Sequence, residues 1–365
     1  MLRCMEPVTH MLTGACLSRA LGFPAKARYA TAACVIAAEI PDADYVYRLG
    51  GPLVYFQHHR GWTHALWSLP LQAAIITLAF FLLHQLQRRR PWRRRTDAPE
   101  HWPLLFAMCL IALCSHILLD WTNNYGVRPF APFNHHWYAA DIVFIVEPVL
   151  LLILSCALVL PLLFSLIHRE IGFRRTRYSG QGLALTALLF MVGLWSYRAM
   201  QRSDSKLQAR NQDYASGTIG RMALNPYPIN PWRWYVVAET ANAMETGTFD
   251  NRIANYDADT MKTLSKPPVT PAVLAAKASW LGRVYLDWSR YPMVEDRGTV
   301  EQLHPELDLA PQERTWRVVR FTDLRFGYPV LGRGSNTAPL SAEAWVDGSL
   351  HVQRVFLGTS EQKLP

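Results

Sequence analysis

The chain has 365 residues, half of them hydrophobic and only 18% charged, which is the balance of a membrane protein. Its net charge of +9 is uneven: residues 1–200 hold 18 Lys/Arg against 10 Asp/Glu, and residues 201–365 hold 19 against 18. All six cysteines lie in the first half with no readable pairing pattern, which argues against a disulfide-framed fold.

Glu6 and His10 interrupt the N-terminal apolar stretch and no small-residue cleavage site follows, so this segment is expected to stay on the protein. Residues 9–39 read as a helical hairpin, broken near Gly22-Phe23-Pro24 and stopped by Pro41. The hairpin is shorter than a bilayer span and is expected to dip into the membrane against longer helices. Four apolar runs predict transmembrane helices over about 65–87, 102–122, 142–167 and 178–198, each near the ~20 residues that cross a bilayer.

Six arginines in Arg88 to Arg95 join the first two runs, and HREIGFRRTR joins the last two. In short loops between spans such charge sets topology, so both loops are expected in the cytoplasm and no nucleic-acid partner is expected. Lys26 and Arg28, at the hairpin tip, fall on the same side. The opposite face then collects His10, Asp42, Asp44, His58, His59, His64, His116, Asp120 and Asp141. Residues 201–365 follow the last span and are expected outside the cytoplasm as a small α+β domain. Their predicted elements are a strand in RWYVVAET, a helix from Pro271 to Trp288, a strand in TWRVVRFTDLRF, and a hairpin turned at Asp347-Gly348.

Ionisable groups beside apolar spans are costly unless paired or metal-bound, so their convergence predicts a functional site. His116 and Asp120 in SHILLDWTNNYG are four residues apart and share a helical face. Imidazole and carboxylate donors without thiolate suit Zn2+, Mn2+ or Fe2+. His10, Asp42, Asp44, His59, His64, His116, Asp120 and Asp141 are the candidate ligands, more than one tetrahedral zinc requires, so two ions are expected. In HHRGWTHALW, His59 and His64 are offered as ligands, His58 is left structural, and Arg60 is free to meet an anionic substrate. Asp44 and Arg60 are the candidate catalytic residues, with Arg60, Asn124 and Tyr125 as candidate substrate contacts.

The ordered set THMLTG, PDAD, HHRGWTHAL, SHILLDWTNNYGVRPFAPF and Asp141 resembles the bacterial inner-membrane metal-dependent hydrolases of the LexA-binding, DUF457 type. The likeness covers roughly residues 5–240 and extends more distantly to zinc-dependent phospholipases C and fungal single-strand nucleases. It implies a mainly α, polytopic membrane protein with a phospholipase C-like helical metal site. Asp120 would bridge two ions, and the PDAD aspartate, His64 and His116 would complete one site. Two features depart from the soluble enzymes: the chain shows no processed N-terminal amine, and Asp141 and Glu147 are six apart where a His-x3-Glu pair is expected. The expected activity is hydrolysis of a phosphoester or similar anionic, lipid-derived substrate at the bacterial inner membrane. The alternatives are a non-catalytic membrane anchor with a structural metal and a partner-binding C-terminal domain, and a transporter; polar residues gathered at one end of the spans count against transport.

Overall fold

A computed structural model describes residues 6–88, 98–170, 180–329 and 340–363. Among the described residues, four helices are long and apolar enough to cross a membrane: Leu66–Arg88, Trp102–Thr122, Pro148–Ser165 and Gln181–Arg210. Most of Arg88 to Arg95 and of HREIGFRRTR lies outside the described residues, so the loop-charge expectation gains no structural counterpart. The third span begins at Pro148 rather than 142, because residues 142–147 are non-helical, with Val143 bridged to Asn123 and a bend at residues 145–146. Proline at the first helical position explains that start, since its missing N–H is an orphan there anyway.

The chain divides into two compact units. The first comprises residues up to Asp44, Arg60–Met200 and Pro226–Pro231; the second comprises Tyr45–His59, Gln201–Asn225 and Trp232–Pro365. In the first, the expected hairpin forms from Glu6–Ala20 and Ala30–Ala37, with a short helix, Phe23–Lys26, at its tip. Its small residues Ala30, Ala33, Cys34 and Ala37 are buried against Leu69, Ala73 and Ile76 of the first span and Leu105, Met108 and Ala112 of the second. Cys16 and Ala20 pack on Leu154, Ala157, Ala184 and Ala187 of the other two spans. Small residues allow close helix approach where lipid supplies no hydrophobic drive between helices. Gly14 marks a close crossing: a Cβ there would lie 2.6 Å from the Cys34 carbonyl oxygen.

A second clamp in this unit is ionic. Arg198 of the fourth span, 1% exposed, reaches Glu147 Oε2 at 3.1 Å and donates to the Tyr227 carbonyl at 3.1 Å. Glu147 Oε1 also accepts from the Ile229 amide at 3.0 Å, so segment Pro226–Pro231 is tied to the span ends by hydrogen bonds to both partners of a buried pair.

Among the described residues, the second unit holds two five-stranded sheets. RWYVVAE forms the strand Arg233–Glu239, paired with Ala243–Asp250. The predicted C-terminal hairpin appears as Ala342–Val346 with Val352–Leu357. The expected helix 271–288 is two helices, Pro271–Ala278 and Trp280–Trp288, broken where the Ser279 side chain accepts from the Gly282 amide and caps the second. Helix Pro52–His58 belongs here as well: Phe56 meets Trp288 edge-on at 5.2 Å, and the Leu53 amide donates to Gln362 at 3.0 Å.

Candidate metal centre

Three stretches of the first unit deliver four side chains to one buried point. His116 and Asp120 come from the last turns of the second span, and His64 from the single turn Trp62–His64 just ahead of the first. Asp42 comes from the 3-10 run that follows Pro41. His64 Nε2 lies 3.2 Å from His116 Nε2, 3.2 Å from Asp120 Oδ2 and 3.4 Å from Asp42 Oδ1. His116 Nε2 lies 3.4 Å from Asp120 Oδ2 and 3.7 Å from Asp42 Oδ1. Donors held 2.0–2.1 Å from a tetrahedral ion are separated by about 3.3–3.4 Å. The separations among Asp42, His64 and His116 bracket that value, so this triad fits a divalent cation, with Asp120 beside two of its members; His10, His116 and Asp120 form a second group of donors.

Neighbouring groups orient the donors. The helix ending at Ala37 leaves the Ala38 carbonyl without an intrahelical partner, and His116 Nδ1 lies 2.6 Å from its oxygen. A carbonyl can only accept, so Nδ1 carries the proton and Nε2 presents its lone pair to the centre. His64 Nδ1 lies 3.0 Å from Thr63 Oγ1 and 3.7 Å from Asp44 Oδ2. Asp44 also accepts from the Arg60 amide at 2.8 Å, so it stands behind the histidine while Asp42 faces the centre.

Burial alone would lower the His64 imidazole, but its hydrogen bonds to Asp120 and Asp42 outweigh this and raise it to about 9. Burial would raise Asp42, yet the hydrogen bond from His64 and the neighbouring His116 hold it well below the usual carboxylate range. Without a cation, the cluster is therefore held together by a proton on His64.

Arg60 is fully buried and lies 2.8 Å from Asp120 Oδ1. It also donates to the Gly126 carbonyl at 2.8 Å and to Asn123 Oδ1 at 3.4 Å. Tyr125 lies beneath it, 4.9 Å from ring centre to guanidinium carbon, and Asn124 is fully buried. The three residues expected to meet substrate are thus two buried side chains and a ring lying under one of them.

His10 stacks on His116 at 3.8 Å between ring centroids, with Nε2 3.4 Å from Asp120 Oδ1. Its Nδ1 is buried without a hydrogen-bond partner. His10, Asp120, Asn123 and Glu147 help line a cavity of about 30 Å3, room for a water. Of the remaining candidates, Asp141 is buried at a left-handed backbone position, φ 53°, and joins none of the donor groups found among the described residues. His58 and His59 fall in the second unit, stacked on Tyr47 at 4.5 Å and packed against Tyr55 at 4.7 Å.

Glu39 escaped the sequence reading. Burial, with the Asp42 charge beside it, raises its carboxyl to about 7. Its signal was an acid one turn ahead of Asp42 and Asp44, in EIPDAD.

A membrane protein with four candidate spans and a buried His/Asp cluster at one end of them is the class these features define. The chain belongs to the YdjM inner membrane protein family, a DUF457-type family, which it matches over residues 5–205. It is similar to the uncharacterized protein YfhP of Bacillus subtilis (strain 168), 25% identical over 375 aligned residues that cover 99% of this chain and 97% of the relative. No solved structure matches it.

Proposed function

We propose that the protein is a membrane-bound, metal-dependent hydrolase that binds divalent cation and cleaves a phosphoester or similar anionic, lipid-derived substrate. One observation carries the reading: two imidazoles converge with two carboxylates at separations of 3.2–3.7 Å from imidazole nitrogen to each partner, and Asp42 is 23% exposed where the other three are at most 1%. Zn2+ is the first candidate, and Mn2+ and Fe2+ accept the same donors. His10, His116 and Asp120 form a second donor group, where the second ion expected from sequence would bind. When bound, the cation supplies Lewis-acid activation of water and of the substrate oxygen. The protein's own groups do the rest: Arg60 fixes Asp120, Ala38 fixes the His116 tautomer, and Glu39 is poised to exchange a proton near neutral pH.

A closed structural site is the second reading, favoured by the donor count, since four protein ligands complete a tetrahedral zinc. Loading the purified protein with Co2+ separates the two. A five- or six-coordinate visible spectrum with turnover on a phosphodiester and phosphomonoester panel supports the hydrolase. An intense four-coordinate spectrum with no turnover makes the metal structural. The distant kinship to zinc phospholipases C is consistent with the His-x3-Asp pair and is part of this proposal. So is sidedness: the arginine-rich loops put the centre and the C-terminal region outside the cytoplasm. Alkaline phosphatase fused after Pro365 should then be active, and an inactive fusion overturns that orientation.

A further inference from the structure

The centre sits at a defined depth. His64 lies two residues before the first span begins at Leu66, and His116 and Asp120 occupy the last two turns of the second span, which ends at Thr122. All these donors therefore lie at the rim of the apolar slab. Beside them is an exposed apolar surface of the same unit. Trp62 is 58% exposed, Trp67 45%, Phe130 45% and Phe133 85%. These are not loose side chains. Trp62 and Trp67 meet edge-on at 5.9 Å, and Trp67 Nε1 donates to the Ala131 carbonyl at 2.7 Å. The Leu66 amide donates to the Pro129 carbonyl at 2.9 Å, and Val127 and Tyr138 exchange backbone hydrogen bonds at 2.9 Å. The 127–138 excursion is thereby fastened to the start of the first span, with Phe133 at its outer edge.

Indole rings are favoured at the head-group level, where an apolar body and an N–H donor are both accommodated. A surface continuous with a span end has the bilayer as its occupant. An anion-seeking cation beside such a surface selects an amphiphile: an anionic head at the cation, and apolar chains that stay in the leaflet.

We propose that Trp62, Leu66, Trp67, Phe130 and Phe133 seat in the head-group layer and that the cation centre acts on the phosphate head of a lipid drawn from that same leaflet. This rests on the hydrolase reading above. The step is hydrolysis: a water oxygen forms a new bond to phosphorus, the phosphorus–oxygen bond to the departing alcohol breaks, and a water proton ends on that alcohol. No oxidant or reductant is involved.

The full chain in phosphatidylcholine nanodiscs, loaded with one equivalent of Mn2+ and freed of excess, gives a depth reading independent of activity. Bound Mn2+ should shorten lipid phosphorus-31 relaxation severalfold while leaving terminal acyl carbons unaffected. His64→Ala should lose both the Mn2+ and the effect. Mn2+ retained without phosphorus relaxation would overturn the lipid assignment and leave the cation centre standing. Failure to retain Mn2+, Zn2+ or Fe2+ at all would overturn the cation reading itself. The second arm compares turnover of phosphatidylglycerol in nanodiscs with that of soluble glycerophosphoglycerol, which has the same head. Turnover at least tenfold faster on the lipid is expected, and Phe133→Ser with Trp62→Ser should reduce it while leaving Mn2+ retention unchanged. Equal rates on the two substrates would show that the site takes soluble phosphoesters and would sink the proposal.

Discussion

At the scale of single residues, Arg60 shows how burial redirects a chemical expectation. Lying between two candidate ligands, it reads from sequence as a substrate clamp. The fold instead turns the guanidinium inward onto Asp120, with Arg60 itself at a positive φ of 54°. No short-range pattern encodes that pairing, because Asp120 is sixty residues away. His116 with Asp120 was legible, since a four-residue spacing on one helix fixes their proximity whatever the tertiary fold. Removing one partner of a buried charge pair typically costs about 3–5 kcal/mol. Arg60→Ala should therefore lower thermal stability most in chelator-treated protein and less with Zn2+ present, where the cation takes over charge compensation for Asp120. Arg60→Lys should recover little, because an ammonium cannot reach Asp120, Asn123 and Gly126 together. Equal destabilisation with and without metal would contradict the shared role. His64 adds a pH dependence. Its cation-free pKa of about 9 lies above the ordinary ~6.5 of an unfolded chain, so its contribution to cation-free stability is complete below about 6.5 and lost as pH rises through 9. A cation must displace that proton. Binding at pH 7.5 should release about one proton from His64 and tighten as pH rises toward 9, which calorimetry in buffers of different ionisation enthalpy measures.

Among elements, the four spans were legible because a long uncharged run has few alternatives, whereas the ends of helices were not. The third span starts later than expected, and the helix over 271–288 breaks in two, because a bridge to Asn123 and a serine cap are decided by local hydrogen bonds that hydrophobicity does not register. Helix Glu6–Ala20 illustrates what sequence conceals most: Gly14, one turn beyond His10, sets how closely this helix approaches Ala30–Ala37. A Cβ would meet backbone at 2.6 Å and the Ala38 Cβ at 2.9 Å, and backbone cannot swing aside as a side-chain tip can. Overpacking usually costs about 1–3 kcal/mol. Gly14→Leu should cost at least that in detergent unfolding titrations. It should also weaken Zn2+ binding, since parting the helices shifts both the His10 ring and the Ala38 carbonyl that orients His116. Unchanged affinity in a destabilised variant would confine Gly14 to packing.

For the molecule as a whole, the division is not the simple cut near residue 200 that the composition change implies. Residues Tyr45–His59 lie between the aspartates and Arg60 in sequence, yet they belong to the unit built mostly from the C-terminal half. The reason is packing. Leu53 is 1% and Phe56 6% exposed, the Phe56 ring meets both Tyr285 and Trp288, and Gln57 accepts from the Trp280 indole at 2.9 Å. Nothing in PLVYFQH announces this, because a seven-residue amphipathic helix fits many partners. Buried Phe→Ala changes typically cost about 3–5 kcal/mol, from lost transfer energy and the cavity left behind. Phe56→Ala in the full chain should therefore destabilise the second unit, although the residue sits within the first sixty. Hydrogen exchange localises the effect: amides of Trp280–Trp288 and of the edge strand Ser360–Gln362 should lose protection first, because they contact the helix that carries Phe56. Amides of the second span, at Leu105 to Leu113, are buried against the N-terminal hairpin and should keep theirs. If Trp280–Trp288 keeps full protection in Phe56→Ala, the helix Pro52–His58 is not part of that unit's core.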